Sequence, residues 1–259
     1  MSDRRQRQKQ ARAAAREAER KAAARREMRR RITVGLGLGA AVAVVLLLLG
    51  TFTDGEDLPE ALAAFRDQPT ACGGSLPEPP TGVRFGSPIN QALRSDSTVT
   101  ATVETSCGTI VIDLAVEESP QTVNSFVFLA RNGFYDGIAV HRIAADFVIQ
   151  AGDPLGNGTG GPGYTIPDEF PAPGFVYEPG VVAMANSGRG TTGSQFFVVT
   201  GESAASLNPT FNVLGRVVDG FDTLERIEQV RTRRQSGGVE QSLPVESVYL
   251  ESVRITVER

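Results

Sequence analysis

The sequence predicts a mainly β domain, either a barrel or a sandwich with two helices, in residues 96–259. Two observations predict this class. Many short apolar runs are separated by glycine-rich turns, and only two stretches have the apolar spacing of a helix. About 160 residues are enough to bury a single core. We therefore expect one domain in the C-terminal part of the chain.

The strands of this domain are predicted from alternation and from short apolar runs. Residues 98–105 (TVTATVET) alternate apolar and polar side chains, and residues 109–115 (TIVIDLA) continue the pattern after Cys107 and Gly108. This period of two predicts a hairpin. Further strands are predicted for residues 138–143, 146–150, 180–185, 195–200, 211–218 and 246–257.

Two helices are predicted from capping residues and apolar spacing. Ser119 suits an N-cap, Pro120 suits the first turn, and Gly133 suits the end of the first helix. The apolar residues of this helix fall on one face: Val123, Phe126, Val127 and Ala130. A second, short helix over residues 220–229 would turn Leu224 and Ile227 inward. Both helices are therefore expected to pack on the sheet.

The N-terminal part of the chain differs in charge from the rest. Residues 1–31 contain thirteen basic and four acidic residues, whereas the remainder contains thirteen basic and twenty-six acidic residues. We expect this basic arm to bind anionic lipid head groups. Nucleic acid is not an expected partner, because the arm has no aromatic residue on which a base could stack.

Residues 32–53 (ITVGLGLGAAVAVVLLLLGTFT) are uncharged and predict a transmembrane helix. Their length suffices to cross about 30 Å of hydrocarbon. The alternatives are a cleaved signal peptide and a buried helix of a soluble protein. The basic arm before the span places the N-terminus in the cytoplasm and the following domain outside. The expected location is therefore the cell membrane, with a single span and an extracytoplasmic domain.

Residues 54–95 are rich in proline, glycine and acidic residues, and predict a flexible tether with one short helix near residues 58–65. Cys72 in this stretch and Cys107 in the domain are the two cysteines of the chain. An oxidising compartment would permit a disulfide between them, which would close a loop of about 35 residues and contribute about 3–4 kcal/mol. Two free thiols are the alternative.

The ionisable side chains argue against several classes of chemistry. His141 is the only histidine, which disfavours both a serine or cysteine nucleophile and a zinc site. We expect it to pack beneath a strand with a hydrogen-bonded ring nitrogen. The glycine run in residues 156–161 is followed by GYTIPDEFP and not by a helix, which argues against phosphate binding. A zinc site is therefore not predicted, and neither is a phosphate-binding loop.

Several motifs occur in an order and spacing that resemble the cyclophilin-type peptidyl-prolyl cis-trans isomerases. They are GFYDG (133–137), HRI (141–143), FVIQAGD (147–153), NGTGG (157–161), MAN (184–186), GSQFF (193–197) and FNVLGRV (211–217). The resemblance extends from residue 98 to the C-terminus. It implies a closed eight-stranded antiparallel β-barrel capped by two α-helices. It also implies no cofactor, and proline-containing peptide segments as partners.

The resemblance assigns catalytic positions to Arg142, Phe147 and Gln150. It assigns substrate-binding positions to Val148, Ala185, Asn186, Gln195, Phe197, Leu207 and Phe211. We expect the protein to be a monomer. By this resemblance it is expected to be an isomerase, and the predicted location makes exported proteins the expected clients. The alternative is a proline-peptide binding module or chaperone in which isomerisation is incidental.

The chain departs from the family pattern at four places. Val148 stands where a methionine is often found, and Ser206 stands where many eukaryotic members have a tryptophan linked to tight cyclosporin binding. Phe211 replaces a histidine, and Ala145 and Asp146 replace the usual Pro-Gly turn before Phe147. We expect catalysis to survive these changes, the strand after the turn to shift slightly, and cyclosporin to bind weakly.

Overall fold

The computed structural model describes residues 58–234 and 240–258. The predicted basic arm, the predicted transmembrane helix and residues 54–57 of the predicted tether lie outside these residues. Within the described ranges, no helix combines the length and the hydropathy that crossing a membrane would require.

Eight antiparallel strands form the main sheet of the described residues. They are β1 (Thr98–Thr105), β2 (Gly108–Leu114), β3 (Arg142–Ala144), β4 (Val148–Ala151), β5 (Val181–Met184), β6 (Phe196–Val199), β7 (Val213–Asp219) and β10 (Leu250–Glu258). Their order across the sheet is β10-β1-β2-β7-β5-β6-β4-β3. The mainly β class is confirmed, and the strand with the clearest alternation, β1, has the predicted bounds.

Three α-helices accompany the sheet in the described part of the chain: α1 (Glu60–Arg66), α2 (Pro120–Arg131) and α3 (Phe221–Glu228). The predicted apolar faces of α2 and α3 are buried. Ser119 occupies the N-cap position of α2, but its side chain makes no capping hydrogen bond. The carboxylate of Glu169 instead accepts hydrogen bonds from the backbone N–H groups of Gln121 and Thr122. A residue distant in sequence therefore caps this helix.

The prediction of a closed barrel is wrong, because the curled sheet keeps two edge strands, β3 and β10. Where these edges approach each other, the only pairing among the described residues is an isolated bridge between Ala139 and Tyr249, flanked by backbone hydrogen bonds. The chain leaves this seam at His141 and pairs with β4 from Arg142 onward. Because the partner changes there, no ladder of consecutive pairs forms across the seam.

Residues 58–95 pack on the domain, in contrast to the predicted flexible tether. The predicted short helix is present as α1, and its Leu62 and Phe65 are only 2% and 3% exposed. Phe65 packs with Ala139 and Tyr249, the two residues that bridge the seam. The tyrosine hydroxyl also donates a 2.9 Å hydrogen bond to the backbone carbonyl of Phe65. The prediction missed this attachment because the stretch is mostly polar and rich in proline, and only a few apolar residues bind it to the domain.

A disulfide joins Cys72 to Cys107, 35 residues apart in sequence, with a Cα–Cα distance of 5.1 Å. It links the segment that follows α1 to the turn between β1 and β2. Further along the segment, Phe85 packs edge-on against Phe128 of α2, with ring centroids 5.0 Å apart. Residues 58–95 thus precede the sheet in sequence but contact the domain through α1, Cys72 and Phe85.

A second, two-stranded sheet was not predicted. It consists of β8 (Thr232–Arg234) and β9 (Gln241–Pro244), which pair antiparallel. Neither strand has the apolar alternation by which strands are recognised, because TRR and QSLP are largely polar. The β8–β9 hairpin contacts the edge strand β3. It therefore lies next to Arg142, the first residue of β3.

Candidate active site

One row of side chains across the sheet carries the polar part of the candidate site. Arg142 of β3 pairs with Gln150 of β4, Gln150 pairs with Phe197 of β6, and Phe197 pairs with Ala183 of β5. Paired residues share a face, whereas the next residue along each strand lies on the other face. The next row, Ile143, Ile149, Val198 and Val182, belongs to the main core. The candidate site therefore lies on the face opposite to that core.

Three of the four predicted polar residues, Arg142, Gln150 and Gln195, are connected by hydrogen bonds. The Nη1–H group of Arg142 donates to Oε1 of Gln150 at 3.2 Å, and Nε2 of Gln150 donates to Oε1 of Gln195 at 3.0 Å. Nε2 of Gln195 donates to the carbonyl oxygens of Gly158 and Gly160 at 3.0 and 2.9 Å. Each amide thus has a defined orientation, and the glycine-rich loop is fixed to the site.

The guanidinium of Arg142 has two further partners. Its Cζ atom lies 5.3 Å from the ring centroid of Phe147. Its Nε–H and Nη2–H groups donate to the two carboxylate oxygens of Glu240, both at 2.7 Å. These hydrogen bonds lower the pKa of the Glu240 carboxyl from its ordinary 4.5 to about 2, despite a smaller opposing effect of partial burial. The carboxyl is therefore ionised at neutral pH.

An apolar cluster lies next to this polar row. Val148 and Phe197 are buried in it, and Phe147, Ala185, Leu207 and Phe211 are partly buried against it. The rings of Phe197 and Phe211 meet edge to face, with centroids 5.4 Å apart. The structure therefore places all the predicted apolar site residues in one cluster, with the partly buried members available to a ligand.

Tyr177 fixes the position of Phe211, and sequence reasoning did not single it out. Its hydroxyl donates to the backbone carbonyl of Phe211 at 2.7 Å and accepts from the N–H group of the same residue at 3.0 Å. Burial raises the pKa of the Tyr177 hydroxyl above its ordinary value, with a smaller opposing effect of the hydrogen bond. The hydroxyl is thus protonated at neutral pH and can donate this bond.

The loop after β5 supplies the remaining predicted residues. The N–H group of Ala185 donates to the carbonyl of Gln195 at 2.9 Å, which joins the two loops beside the site. The side chain of Asn186 donates to the carbonyl of Thr210 at 2.9 Å. Its side-chain amide thus holds the chain next to Phe211.

The turn before β4, formed by Ala145 and Asp146, has at Asp146 a backbone conformation that glycine adopts most easily. Asp146 has a φ of +56°, in the left-handed region that aspartate tolerates better than most residues. Its N–H group donates to the carboxylate of Glu228 at 3.2 Å, and the hydroxyl of Ser203 donates to its carboxylate at 2.9 Å. These contacts hold the turn that leads into Phe147.

His141 is buried beside the site, as predicted. The hydrogen bond predicted for a ring nitrogen is not present at Nδ1, which has no hydrogen-bond partner among the described residues. Burial lowers the pKa of His141 below its ordinary 6.5; Asp153 opposes this shift and the charge of Arg142 adds to it. The His141 ring is therefore neutral at pH 7 in the folded protein.

The free energy of unfolding is expected to fall as the pH drops below about 6.5. The pKa of His141 is lower in the folded than in the unfolded chain, so its contribution is complete above the unfolded value and is lost as the unfolded chain takes up a proton. Urea unfolding of the full chain at successive pH values measures this slope. His141→Gln should flatten it, and an equal slope in the variant would contradict the assignment.

The site offers hydrogen-bond donors beside apolar surface. In residues 58–234 and 240–258, no group of three or more histidine, cysteine or acidic side chains is placed to hold a metal ion. The carboxylate nearest to Arg142 is already paired with it. An apolar cluster can bind an apolar ring. A fixed cation next to the cluster can then stabilise electron density that develops on the bound group. The arrangement is therefore suited to a rearrangement in which bonds rotate.

The fold is that of the cyclophilin-type proteins. The chain belongs to this family, because the family model described as cyclophilin type peptidyl-prolyl cis-trans isomerase/CLD matches residues 100–255.

Two relatives from Mycobacterium tuberculosis support the assignment. A probable peptidyl-prolyl cis-trans isomerase B is 39% identical over 170 residues, which cover 60% of this chain and 54% of the relative. Peptidyl-prolyl cis-trans isomerase A is 37% identical over 175 residues, which cover 62% of this chain and 93% of the relative. The match thus spans about half of the first relative and nearly all of the second.

Solved structures agree with the family assignment. A cyclophilin-type peptidyl-prolyl cis-trans isomerase from Cryptosporidium parvum is similar with a TM-score of 0.55 and 27% identity, over 62% of this chain and 98% of that chain. The structure of the same protein in the presence of the dipeptide Ala-Pro has a TM-score of 0.54 and 28% identity, over 61% and 98% of the two chains.

Proposed function

We propose that the protein catalyses cis-trans isomerisation of X–Pro peptide bonds, with Arg142 as the catalytic group. The observation that carries the proposal is the position of the Arg142 guanidinium. It is held by Gln150 and lies over Phe147, next to the apolar cluster around Phe197. The family assignment and the relatives named as isomerases support the same activity.

The reaction rotates a bond without breaking one. The peptide bond resists rotation by about 18–20 kcal/mol because its resonance must be lost. In the twisted transition state the prolyl nitrogen becomes pyramidal and acquires a lone pair. A guanidinium N–H group that faces this lone pair binds the transition state more strongly than the planar ground state, and this difference lowers the barrier. Arg142 suits the task because arginine remains charged throughout the accessible pH range.

The apolar cluster would hold one side of the rotating bond. The proline ring would lie against the partly buried Phe147, Leu207 and Phe211, which pack on the cluster that contains Phe197. Gln150 and the backbone near Asn186 would hold the flanking peptide. When one side is fixed, rotation is confined to the other, and the reacting atoms stay near Arg142. The Ala-Pro dipeptide present with the Cryptosporidium parvum relative is consistent with a proline ligand for this site.

We also propose that the clients are exported proteins and that the domain lies outside the membrane. The disulfide between Cys72 and Cys107 supports an oxidising compartment, and the charge pattern of residues 1–53 supports an N-terminus in the cytoplasm. Protease added to spheroplasts should then degrade the domain while the basic arm is protected. Protection of the domain in intact spheroplasts would contradict this orientation.

The test of the proposed activity is an isomerisation assay with the full chain in detergent micelles. A peptide that contains one X–Pro bond is followed by exchange spectroscopy, which measures the rate of interconversion and the affinity in the same sample. We expect acceleration at catalytic concentrations of protein. Binding without acceleration would identify a proline-peptide binding module, and would refute the proposed activity.

A further inference from the structure

We propose that Glu240 is a positioning residue for Arg142: its carboxylate holds the guanidinium from the side opposite to Gln150, in the orientation that faces the proline. The inference rests on the proposed function, in which Arg142 is the catalytic group. It adds a residue from the β8–β9 hairpin, which lies outside the motifs that define the site.

The contact between the two side chains is bidentate. Nε–H and Nη2–H of Arg142 each donate to one oxygen of Glu240, both at 2.7 Å. A paired geometry of this kind restrains both the position and the plane of a guanidinium, which a single hydrogen bond does not. Of the five N–H groups of arginine, Glu240 and Gln150 together accept from three. Within residues 58–234 and 240–258, one N–H group on each Nη atom therefore remains for a substrate.

The place of Glu240 in the fold explains why it can act in this way. Arg142 begins the edge strand β3, and its neighbour within the sheet is β4, which carries Gln150. On the other side, an edge strand has no sheet neighbour to support its side chains. Strand β9 of the hairpin contacts β3, and Glu240 immediately precedes β9. Arg142 is thus held between Gln150 and Glu240, with Phe147 against the face of its guanidinium.

Glu240 also completes a continuous series of hydrogen bonds. The series runs from Glu240 to Arg142, through Gln150 and Gln195, to the carbonyl oxygens of Gly158 and Gly160. Without Glu240, the contacts of the guanidinium with the other described residues would be one 3.2 Å hydrogen bond and the contact with Phe147. The carboxylate therefore removes most of the remaining freedom of Arg142.

The exposure of the pair indicates that its main effect is on orientation. The side chains of Arg142 and Glu240 are 28% and 44% exposed, and ion pairs that are open to solvent contribute little to folding. The negative charge partly offsets the potential of the guanidinium, which opposes catalysis. Misplacing a reacting group is the larger effect, since an error of about 1 Å can cost about 100-fold in rate. We therefore expect a net loss when the carboxylate is removed.

The experiment is a double-mutant cycle in the full chain, with exchange spectroscopy to separate kcat from KM. Glu240→Gln keeps the size of the side chain but removes the charge and one acceptor oxygen. We expect kcat to fall about three- to tenfold with little change in KM, because the lost restraint acts on the transition state. The Arg142 Nε–H resonance should shift in the same variant, which reports the loss of the bidentate contact.

The remaining variants of the cycle distinguish positioning from a structural role. In the Arg142→Ala background, Glu240→Gln should have no further effect on kcat, because there is no guanidinium left to orient. The matched control is Glu246→Gln, which removes the acceptor of another exposed ion pair, 3.3 Å from Arg231, and should leave the rate unchanged.

Three outcomes would overturn the proposal. If Glu240→Gln is as fast as the wild type or faster, the carboxylate does not position Arg142 for catalysis. If it lowers the rate equally with and without Arg142, its role is structural. If Arg142→Ala keeps the wild-type rate, the proposed function fails together with this inference, whereas a slow Arg142→Ala with an unaffected Glu240→Gln refutes the inference alone.

Discussion

Arg142→Ala is expected to lower kcat/KM for a proline-containing peptide by about 10²–10³-fold, the loss that typically follows removal of one preorganised donor. The physical reason is that the guanidinium binds the pyramidal prolyl nitrogen more strongly than the planar amide. Because the interaction belongs to the transition state, kcat should fall as much as kcat/KM. Exchange spectroscopy at saturating and at low peptide concentration measures both quantities.

A lysine at the same position separates charge from geometry. Arg142→Lys keeps a positive charge but cannot donate in parallel to both oxygens of Glu240 and to Gln150. We expect an activity between that of the wild type and that of Arg142→Ala. The control is Arg254→Ala, which removes an exposed arginine paired with Glu104 at 2.7 Å on another part of the sheet. A wild-type rate in Arg142→Ala would refute the proposed mechanism.

Phe65→Ala is expected to lower the free energy of unfolding by about 3–5 kcal/mol, the usual cost of deleting a buried phenylalanine ring. The side chain is 3% exposed and packs with Ala139 and Tyr249. It covers the seam where β3 and β10 approach without a continuous ladder. Its loss would leave a cavity at the least paired part of the sheet. Urea unfolding with the disulfide intact measures the change.

The control for this variant is a phenylalanine on another short helix. Phe221 begins α3 and is 49% exposed, so Phe221→Ala should cost about 1 kcal/mol or less. Equal, small losses in both variants would mean that α1 contributes little to the fold. If the prediction holds, a fragment that begins at residue 96 would be destabilised, because it lacks both Phe65 and Cys72.

Elements with strong local signals could be predicted from the sequence. Strand β1 alternates without interruption, and α2 has a proline in its first turn and an apolar face. The family motifs around Arg142, Gln150 and Phe197 also predicted that these residues lie close together. In the structure they are paired across neighbouring strands. These features depend on residues that are close in sequence or that lie within a recognisable motif.

Other features depend on contacts between segments that have no local signal. The attachment of residues 58–95 depends on a few apolar residues such as Leu62 and Phe65 in a polar, proline-rich stretch. Glu169 caps α2 from a loop 47 residues away from Thr122. Tyr177 was indistinguishable from an ordinary core residue, since its role depends on the backbone of Phe211.

The sequence by itself determined the mainly β class, the first strand and the helices α2 and α3, and the family resemblance supplied the residues expected around a proline. Only the tertiary structure decided that the sheet stays open at a seam, that α1 covers this seam, and that Glu240 holds Arg142. The reason is the range of the interactions involved. Periodicity and motifs record interactions between near neighbours, whereas Arg142 and Glu240 are 98 residues apart and meet only when the β8–β9 hairpin packs beside β3.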